Sequence, residues 1–338
     1  MYFTGELLHD VKEDGAKPID WKRRKQVSLR LAHAYKRIGS PKAGRMFECG
    51  GYLEFKRFHA DDSMRLNTGS FCQVRLCPLC SWRRSRKMFA QVSKIMAEMV
   101  DYEYILLTLT CENVEGPELN SQIDIMYKAF KLLCLRKRFK SAVHGWIRSF
   151  EVTYNWAKRD YHPHFHCVLA VKQEYFTSNI YMDHDDWCEL WQSCMNANYD
   201  IVVDVRKLKE SEKGAGKEVA EVAKYSVKPS SVIVDMRGMK EFTQEIQENA
   251  KKLSDSTTDE VVATLDSALH NRRLNGFGGI FKAKHRELNL NNDDTDLVHA
   301  GDSEEPKDDD YTIEKYCWNI EHKNFFRYIP KVEDDTVF

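Results

Sequence analysis

The sequence predicts an α+β fold: a mostly antiparallel sheet with helices packed on it, preceded by a small zinc-binding element. Three observations carry this expectation. Strand-like and helix-like segments follow in the order strand–helix–strand–strand–helix–strand–helix, which does not build a doubly wound parallel sheet. Two of the strand-like segments, residues 146–154 and 164–171, are consecutive and separated by turn-type residues, as in an antiparallel hairpin. Four cysteines, Cys49, Cys72, Cys77 and Cys80, cluster ahead of them.

Taken in order, residues 1–20 are polar and expected to fray. Residues 21–38 interleave basic side chains with Val27, Leu29, Leu31, Ala34 and Tyr35, a helical pattern. The cysteine region runs over 45–80, and 81–100 reads as a helix with basic residues crowded into its first turns. Residues 104–111, rich in Leu, Ile and Thr, read as a strand. Ile123, Met126, Phe130 and Leu133 give 119–139 a helical spacing. The hairpin follows, with 155–163 as its loop. Next come a helix carrying Trp187 and Trp191 as core residues, a strand at 200–205, and a helix over 217–227 that stops before Pro229. Residues 240–272 look helical and exposed, and Gly278-Gly279 marks a tight turn or a backbone approach to a ligand. The expected divisions are a basic zinc-binding region at 1–100, a core at 101–240, a packed helical and Gly-Gly region at 241–290, an acidic flexible linker at 291–310 and an aromatic-rich tail at 311–338.

Composition bounds the possibilities. The 338 residues are 42% hydrophobic, 12% aromatic and 30% charged, with a mean hydropathy of -0.57, which describes a folded and soluble protein. The longest apolar run, near 104–110, falls far short of the roughly 20 residues of a membrane span. The amino terminus has no basic-then-apolar signal pattern, so a cytoplasmic location is expected. The net charge of -1 conceals segregation: residues 21–45 carry nine Lys or Arg and no acid, 75–87 carry five more, and 291–310 hold nine acids and one lysine. A polyanion-binding body with a solvated linker fits this pattern, as do ordinary solvated faces. Ten cysteines in such a chain are not read as disulfides, and the six outside the cluster read as small buried hydrophobes.

His164 and His166 are two apart on a strand, so both imidazoles share one face while Phe165 turns into apolar packing. On the preceding strand, Glu151 shares a face with Ser149 and Thr153. A register that pairs the two faces makes Glu151 a third ligand for a divalent cation; His162 is the alternative. Downstream, Glu221, Tyr225 and Lys228 fall on one helical face. That helix is a surface Glu–Lys ladder with an ordinary tyrosine, or it carries an activated nucleophile. Cys77-Pro-Leu-Cys80 is a tight thiolate pair that Cys72 and Cys49, with His59 as a substitute, complete into a tetrahedral zinc site.

Together these residues resemble the HUH endonuclease superfamily, named for the His-hydrophobic-His element present here as His164-Phe165-His166. More narrowly, the chain is similar to the replication initiators of small rolling-circle plasmids. Leu106-Leu-Thr-Leu-Thr110, His162-Pro-His-Phe-His166 and Tyr225-Ser-Val-Lys228 carry the likeness, with Cys72 to Arg84 and Gly278-Gly-Ile-Phe-Lys282 in support, over roughly residues 45–290. The resemblance implies an HUH-type sheet and origin-specific nicking and strand transfer. Tyr225 attacks a phosphodiester of plasmid origin DNA to leave a 5′-phosphotyrosyl link, beside a Mg²⁺ or Mn²⁺ ion on His164, His166 and Glu151. Glu221 then activates a terminating water, positions Tyr225, or is a plain surface residue; Lys228 meets the phosphate, orients the tyrosine, or is solvated. Structural Zn²⁺ on the cysteines would set Arg83, Arg84, Arg86 and Lys87 against DNA phosphates. A host helicase and polymerase are implied partners, and no membrane is. A relaxase or transposase with the same chemistry, or a non-catalytic zinc-stabilised DNA-binding regulator, are the alternatives.

Overall fold

Among the described residues, alternation of buried and exposed side chains builds two five-stranded antiparallel sheets, each in its own compact unit. The computed structural model describes residues 2–9, 19–208, 244–290 (side chains from 254) and 310–329. The first unit combines residues 1–83 with 293–338, and the second holds 84–292. No helix among the described residues is long and apolar enough to cross a membrane.

The first unit begins with β1 (Tyr2–Leu7), where the sequence predicts fraying; it is held by pairing with β10 (Asn324–Ile329). Helix α1 (Trp21–Arg37) starts where the Asp20 carboxylate accepts from the Arg23 amide, 2.7 Å away. Its buried stripe, Trp21, Lys25, Ser28, Ala32 and Tyr35, repeats every three to four residues. Helix α2 (Lys42–Glu48) follows and ends at Cys49. Strands β2 (Tyr52–Phe58) and β3 (Met64–Gly69) form a hairpin inside the cysteine region, and β9 (Tyr311–Asn319) pairs with β2 on its other side. The sheet order is β1-β10-β9-β2-β3. Residues 311–329, expected as a tail, therefore supply two of its five strands, and the first unit's boundary falls at Arg83 where a region ending at 100 was expected. Leu53, Phe55, Tyr316 and Phe325 form the buried face, with the Trp21 ring 5.7 Å from Phe55.

In the second unit the sheet runs β7-β4-β6-β5-β8. Its strands are β4 (Tyr102–Leu109), β5 (Gly145–Asn155), β6 (Asp160–Lys172), β7 (Val203–Lys207) and β8 (Asn275–Gly278). The hairpin loop is shorter than the sequence suggests. Pro163 argues against a strand, yet β6 extends back to Asp160 and pairs Pro163 with Val152. Tyr161 donates its amide to Val114, away from β5, so the missing N–H of Pro163 also faces away from β5 and costs that ladder nothing.

One sheet face packs on α4 (Leu119–Leu133): Phe165 is fully buried, its ring 5.3 Å from Tyr127, 5.5 Å from Phe130 and 5.2 Å from Phe150. The Arg148 guanidinium lies 4.4 to 4.9 Å from the rings of Tyr127, Phe130 and Phe165, and burial lowers its pKa. Short α5 (Lys137–Ala142) and α6 (His184–Met195) complete this layer, with Trp187 and Trp191 fully buried as expected. On the other face, Leu106, Ile147, Val168 and Ala170 pack with Val92, Ile95 and Met96 of α3 (Pro78–Ala97) and with Phe281 of α8 (Gly279–Glu287). Each fully buried aliphatic contributes about 1.5–3 kcal/mol. Helix α7 (Gln244–Ala268) precedes β8.

Gly278-Gly279 joins β8 to α8, and the reason for two glycines is contact with the sheet. A Cβ at Gly278 would collide with the Trp146 indole. Gly279 has φ +55°, and the His144 carbonyl occupies the place where a Cβ would stand. Gly278→Ala should therefore destabilise the protein by about 1–3 kcal/mol. A thermal melt should show a fall of about 4–10 °C; an unchanged melting temperature would show that Trp146 moves aside freely.

Candidate functional site

The β5–β6 register sets the site. Glu151 is the Cα partner of His164, and Ser149 is the partner of His166. All four point to the face that carries Ile147 and Val168, beyond the edge of the apolar cover. Glu151 Oε2 lies 3.2 Å from His166 Nε2 and 3.6 Å from His164 Nε2, and the two Nε2 atoms are 3.2 Å apart. Ligand atoms about 2.1 Å from one cation stand about 3.0 Å apart at right angles and 3.4 Å apart in a tetrahedron. The three atoms thus fit around one divalent ion, with Glu151 and His164 buried and His166 half-buried.

The tautomers suit that use. His164 Nδ1 donates to the His162 carbonyl at 3.1 Å, which leaves Nε2 as the lone-pair nitrogen of the neutral ring. His166 Nδ1 lies 3.3 Å from Thr108 Oγ1 on β4, whose Cα is paired with His166. Thr108 belongs to the strand motif at 106–110, and sequence reasoning gives it no task of its own. A polar row crosses all five strands in register: Asp204, Thr108, His166, Ser149 and Asn275. Ser149 donates to Asn275 Oδ1 at 2.9 Å, and a cavity of about 240 Å³ lies beside His166, lined also by Thr108, Asp204 and Arg206. His162, the alternative third ligand, has Nδ1 2.8 Å from Asn113 Oδ1; burial and then the neighbouring His164 lower its pKa. Tyr225, Glu221 and Lys228 lie outside the described residues.

The cysteines converge in the first unit. Cys49 caps α2, Cys72 follows β3, and Cys77 and Cys80 sit at the start of α3, all four buried. Cys49 Sγ is 3.5 Å from Cys77 Sγ and 3.7 Å from Cys80 Sγ, and Cys72 Sγ is 3.7 Å from Cys80 Sγ. These are not disulfide lengths. They match the roughly 3.8 Å between sulfurs that each sit about 2.3 Å from a tetrahedral zinc. The amides of Gln73 and Val74 point at Cys80 and Cys72 Sγ, 3.3 and 3.5 Å away. Burial pushes the Cys77 thiol up, but hydrogen bonds from Cys49, Cys72, Cys80 and Ser28 outweigh it and hold Cys77 well below the usual thiol range.

In the sequence Lys25 is only one of a basic run. It is 1% exposed, and Nζ donates to the carbonyls of Phe47 at 2.8 Å and Cys49 at 2.7 Å, where it caps the carbonyl end of α2. Its pKa is lowered by burial, against the opposing pull of Cys49, Cys77 and Cys72. His59 is elsewhere, bonded to Thr312 and Asp310. Of the basic residues expected on DNA, Arg83 is 4% exposed with its guanidinium 3.7 Å over the Phe71 ring, whereas Arg84, Arg86 and Lys87 are half-buried on α3. Of the six cysteines outside the cluster, Cys111, Cys167 and Cys194 are buried and the other three only partly so.

A family described as "Replication protein" matches residues 63–328, a span that takes in most of the thiol cluster and the whole Glu-His-His group. The chain belongs to that replication protein family. It is 33% identical to "Protein rep" of Streptococcus pneumoniae serotype 2 over 95% of each chain. It is 38% identical to "Protein rep" of Bacillus amyloliquefaciens over 84% of this chain and 86% of the relative. Against "Protein rep" of Lactiplantibacillus plantarum it is 31% identical over 95% of this chain and 99% of the relative. No solved structure matches this replication protein.

Thr108 makes a direct test of the site. Thr108→Val keeps the shape and removes the Oγ that meets His166, so Mn²⁺ affinity measured by calorimetry should fall about 10- to 100-fold. Thr108→Ser should restore it; equal affinity in all three proteins would mean that the contact does not orient the ligand.

Proposed function

We propose that this replication protein initiates rolling-circle replication of a small plasmid by nicking one strand at the origin, with Tyr225 as the nucleophile. The observation that carries the reading is the Glu151–His164–His166 group, backed by Thr108, in a chain of the replication protein family. His164, His166 and Glu151 would hold a Mg²⁺ or Mn²⁺ ion, whose chemistry when bound is to draw charge from the phosphoryl oxygens.

The rest is work for the chain's own groups. Tyr225 Oη forms a bond to the scissile phosphorus and loses its phenolic proton, while the bond to the 3′ oxygen breaks and that oxygen takes up a proton. A 5′-phosphotyrosyl link and a primer 3′-hydroxyl result. A free tyrosine has a pKa of about 10 and is a weak nucleophile at neutral pH, so it needs a neighbouring base or cation. Glu221, four positions before Tyr225 in the sequence, suits that task, or activates water in the terminating cleavage; Lys228, three positions after, suits the phosphate or the phenolate. Arg84, Arg86 and Lys87 would add sequence-independent affinity for origin DNA. The same reading makes the cysteine group a structural Zn²⁺ site, gives the protein a host helicase and polymerase as partners, and puts it in the cytoplasm.

A labelled single-stranded oligonucleotide spanning the origin tests the reaction. Tyr225→Phe should abolish the covalent protein–DNA adduct on a denaturing gel and keep binding by anisotropy. An adduct that persists moves the nucleophile elsewhere, and tight binding with no adduct from the native protein leaves a DNA-binding regulator. Replacing both His164 and His166 with Ala should slow ion-stimulated cleavage by at least about 100-fold; an unchanged rate rejects the ion site. Cys77→Ser should remove the bound zinc found by metal analysis and lower the melting temperature. Unaltered zinc content would reject the cysteine assignment.

A further inference from the structure

The sheet of the first unit has a face that none of the chemistry above uses. Leu53, Phe55, Glu314, Tyr316 and Phe325 point to the buried side. Their alternating neighbours therefore point outward. Registers bring these neighbours into rows: Phe3 opposite Tyr328, Tyr52 opposite Cys317, Glu54 opposite Lys315, and Lys56 opposite both Ile313 and Arg65. The result is a surface of aromatic rings with cations set between them.

Its rings are accessible. Phe3 is 53% exposed and Tyr311 37% exposed, and Tyr52 and Tyr328 are half-buried with ring centroids 6.2 Å apart. Its cations lie against rings: Lys56 Nζ is 4.8 Å from the exposed Tyr311 centroid, and the Arg65 guanidinium is 5.7 Å from that of Phe58, which is itself buried. Glu54 accepts from Tyr52 Oη at 2.6 Å and from Asn67 at 2.5 Å, with Lys315 Nζ 3.8 Å away, so this carboxylate fixes a ring and a cation and is itself compensated.

We infer that this face is a stacking platform for single-stranded DNA. Exposed rings on a twisted sheet offer flat partners to unpaired bases, and interleaved Lys and Arg meet the phosphates between them. A protein partner would instead call for a continuous apolar centre with charges at its rim. Here the cations lie in the middle rows, Lys56 and Lys315 on β2 and β9. The inference rests on the chain's place among replication proteins and not on the tyrosine chemistry proposed above.

The probe is 5′-labelled oligothymidylate of about 20 nucleotides, titrated with the full chain and read by fluorescence anisotropy. It contains no origin sequence and no cleavage is measured, so the outcome is independent of whether Tyr225 is the nucleophile. Each ring that stacks on a base should matter about 5- to 150-fold when truncated. Tyr52→Ala with Tyr328→Ala should weaken binding at least about 10-fold, while Tyr52→Phe with Tyr328→Phe should keep most of it. Lys56→Ala with Lys315→Ala should weaken binding and flatten its salt dependence. Duplex affinity should not change in the ring variants. Native-like affinity in alanine variants with native circular dichroism would overturn the platform. So would an equal loss in the phenylalanine variants, or a change only in self-association by sedimentation, which would assign the face to a second copy.

Discussion

The pairing of β5 with β6 is the constraint on which the second unit depends. It runs unbroken from Gly145 opposite Ala170 to Asn155 opposite Asp160, and it decides which side chains share a face. A slip of one residue would carry Glu151 into the aromatic layer and Phe150 out of it. Burying that carboxylate among Tyr127, Phe130 and Phe165 without a partner would cost several kcal/mol, and emptying the Phe150 pocket would add about 3–5 kcal/mol. Apolar packing at one end of the hairpin thus fixes polar geometry at the other. Ile147 and Val168 lie under α3 and α8, and two residues further along each strand the same face presents Ser149 and His166.

The two ligand groups are built to opposite plans. The thiol cluster is closed on all sides, with its cysteines at or below 4% exposure, amide donors aimed at two of the sulfurs and a buried ammonium nearby. Nothing can approach it, as suits a group that holds α2, β3 and α3 together. The Glu-His-His group lies at the open end of a sheet face, with His166 half-buried beside a cavity. The three protein atoms lie on one side, so an ion that they held would keep coordination positions free on the other.

Much of this is legible in the sequence because it depends on short-range rules. Strand parity puts His164 with His166 and turns Phe165 away, and the hairpin makes Glu151 the natural third atom. Thr108 is harder: its task depends on β4 pairing with β6, a contact 58 residues away that parity alone does not supply. Lys25 is one cation among nine in its stretch, and only its place on the stripe with Trp21, Ser28 and Tyr35 marks it as buried. Strands β2 and β3 sit in a region dominated by cysteines. The other neighbour of β2 is β9, some 260 positions later, so the first sheet cannot be read as a local pattern. Pro163 misleads because a proline is tolerated wherever its missing amide faces away from the ladder.

The first sheet is closed by strands from both ends of the chain, with the whole second unit inserted between β3 and β9. During synthesis the inserted unit is complete before β9 and β10 exist, while β2 waits with an unpaired edge. At about 5–20 residues per second, the interval between finishing Asn292 and finishing Ile329 is a few seconds. Every strand of the Glu-His-His unit is therefore made before the last two strands of the cysteine unit that begins ahead of it in sequence. A chain cut short after residue 292 would leave β1 without β10 and one edge of β2 without β9, so an intact first sheet requires the chain as far as Ile329.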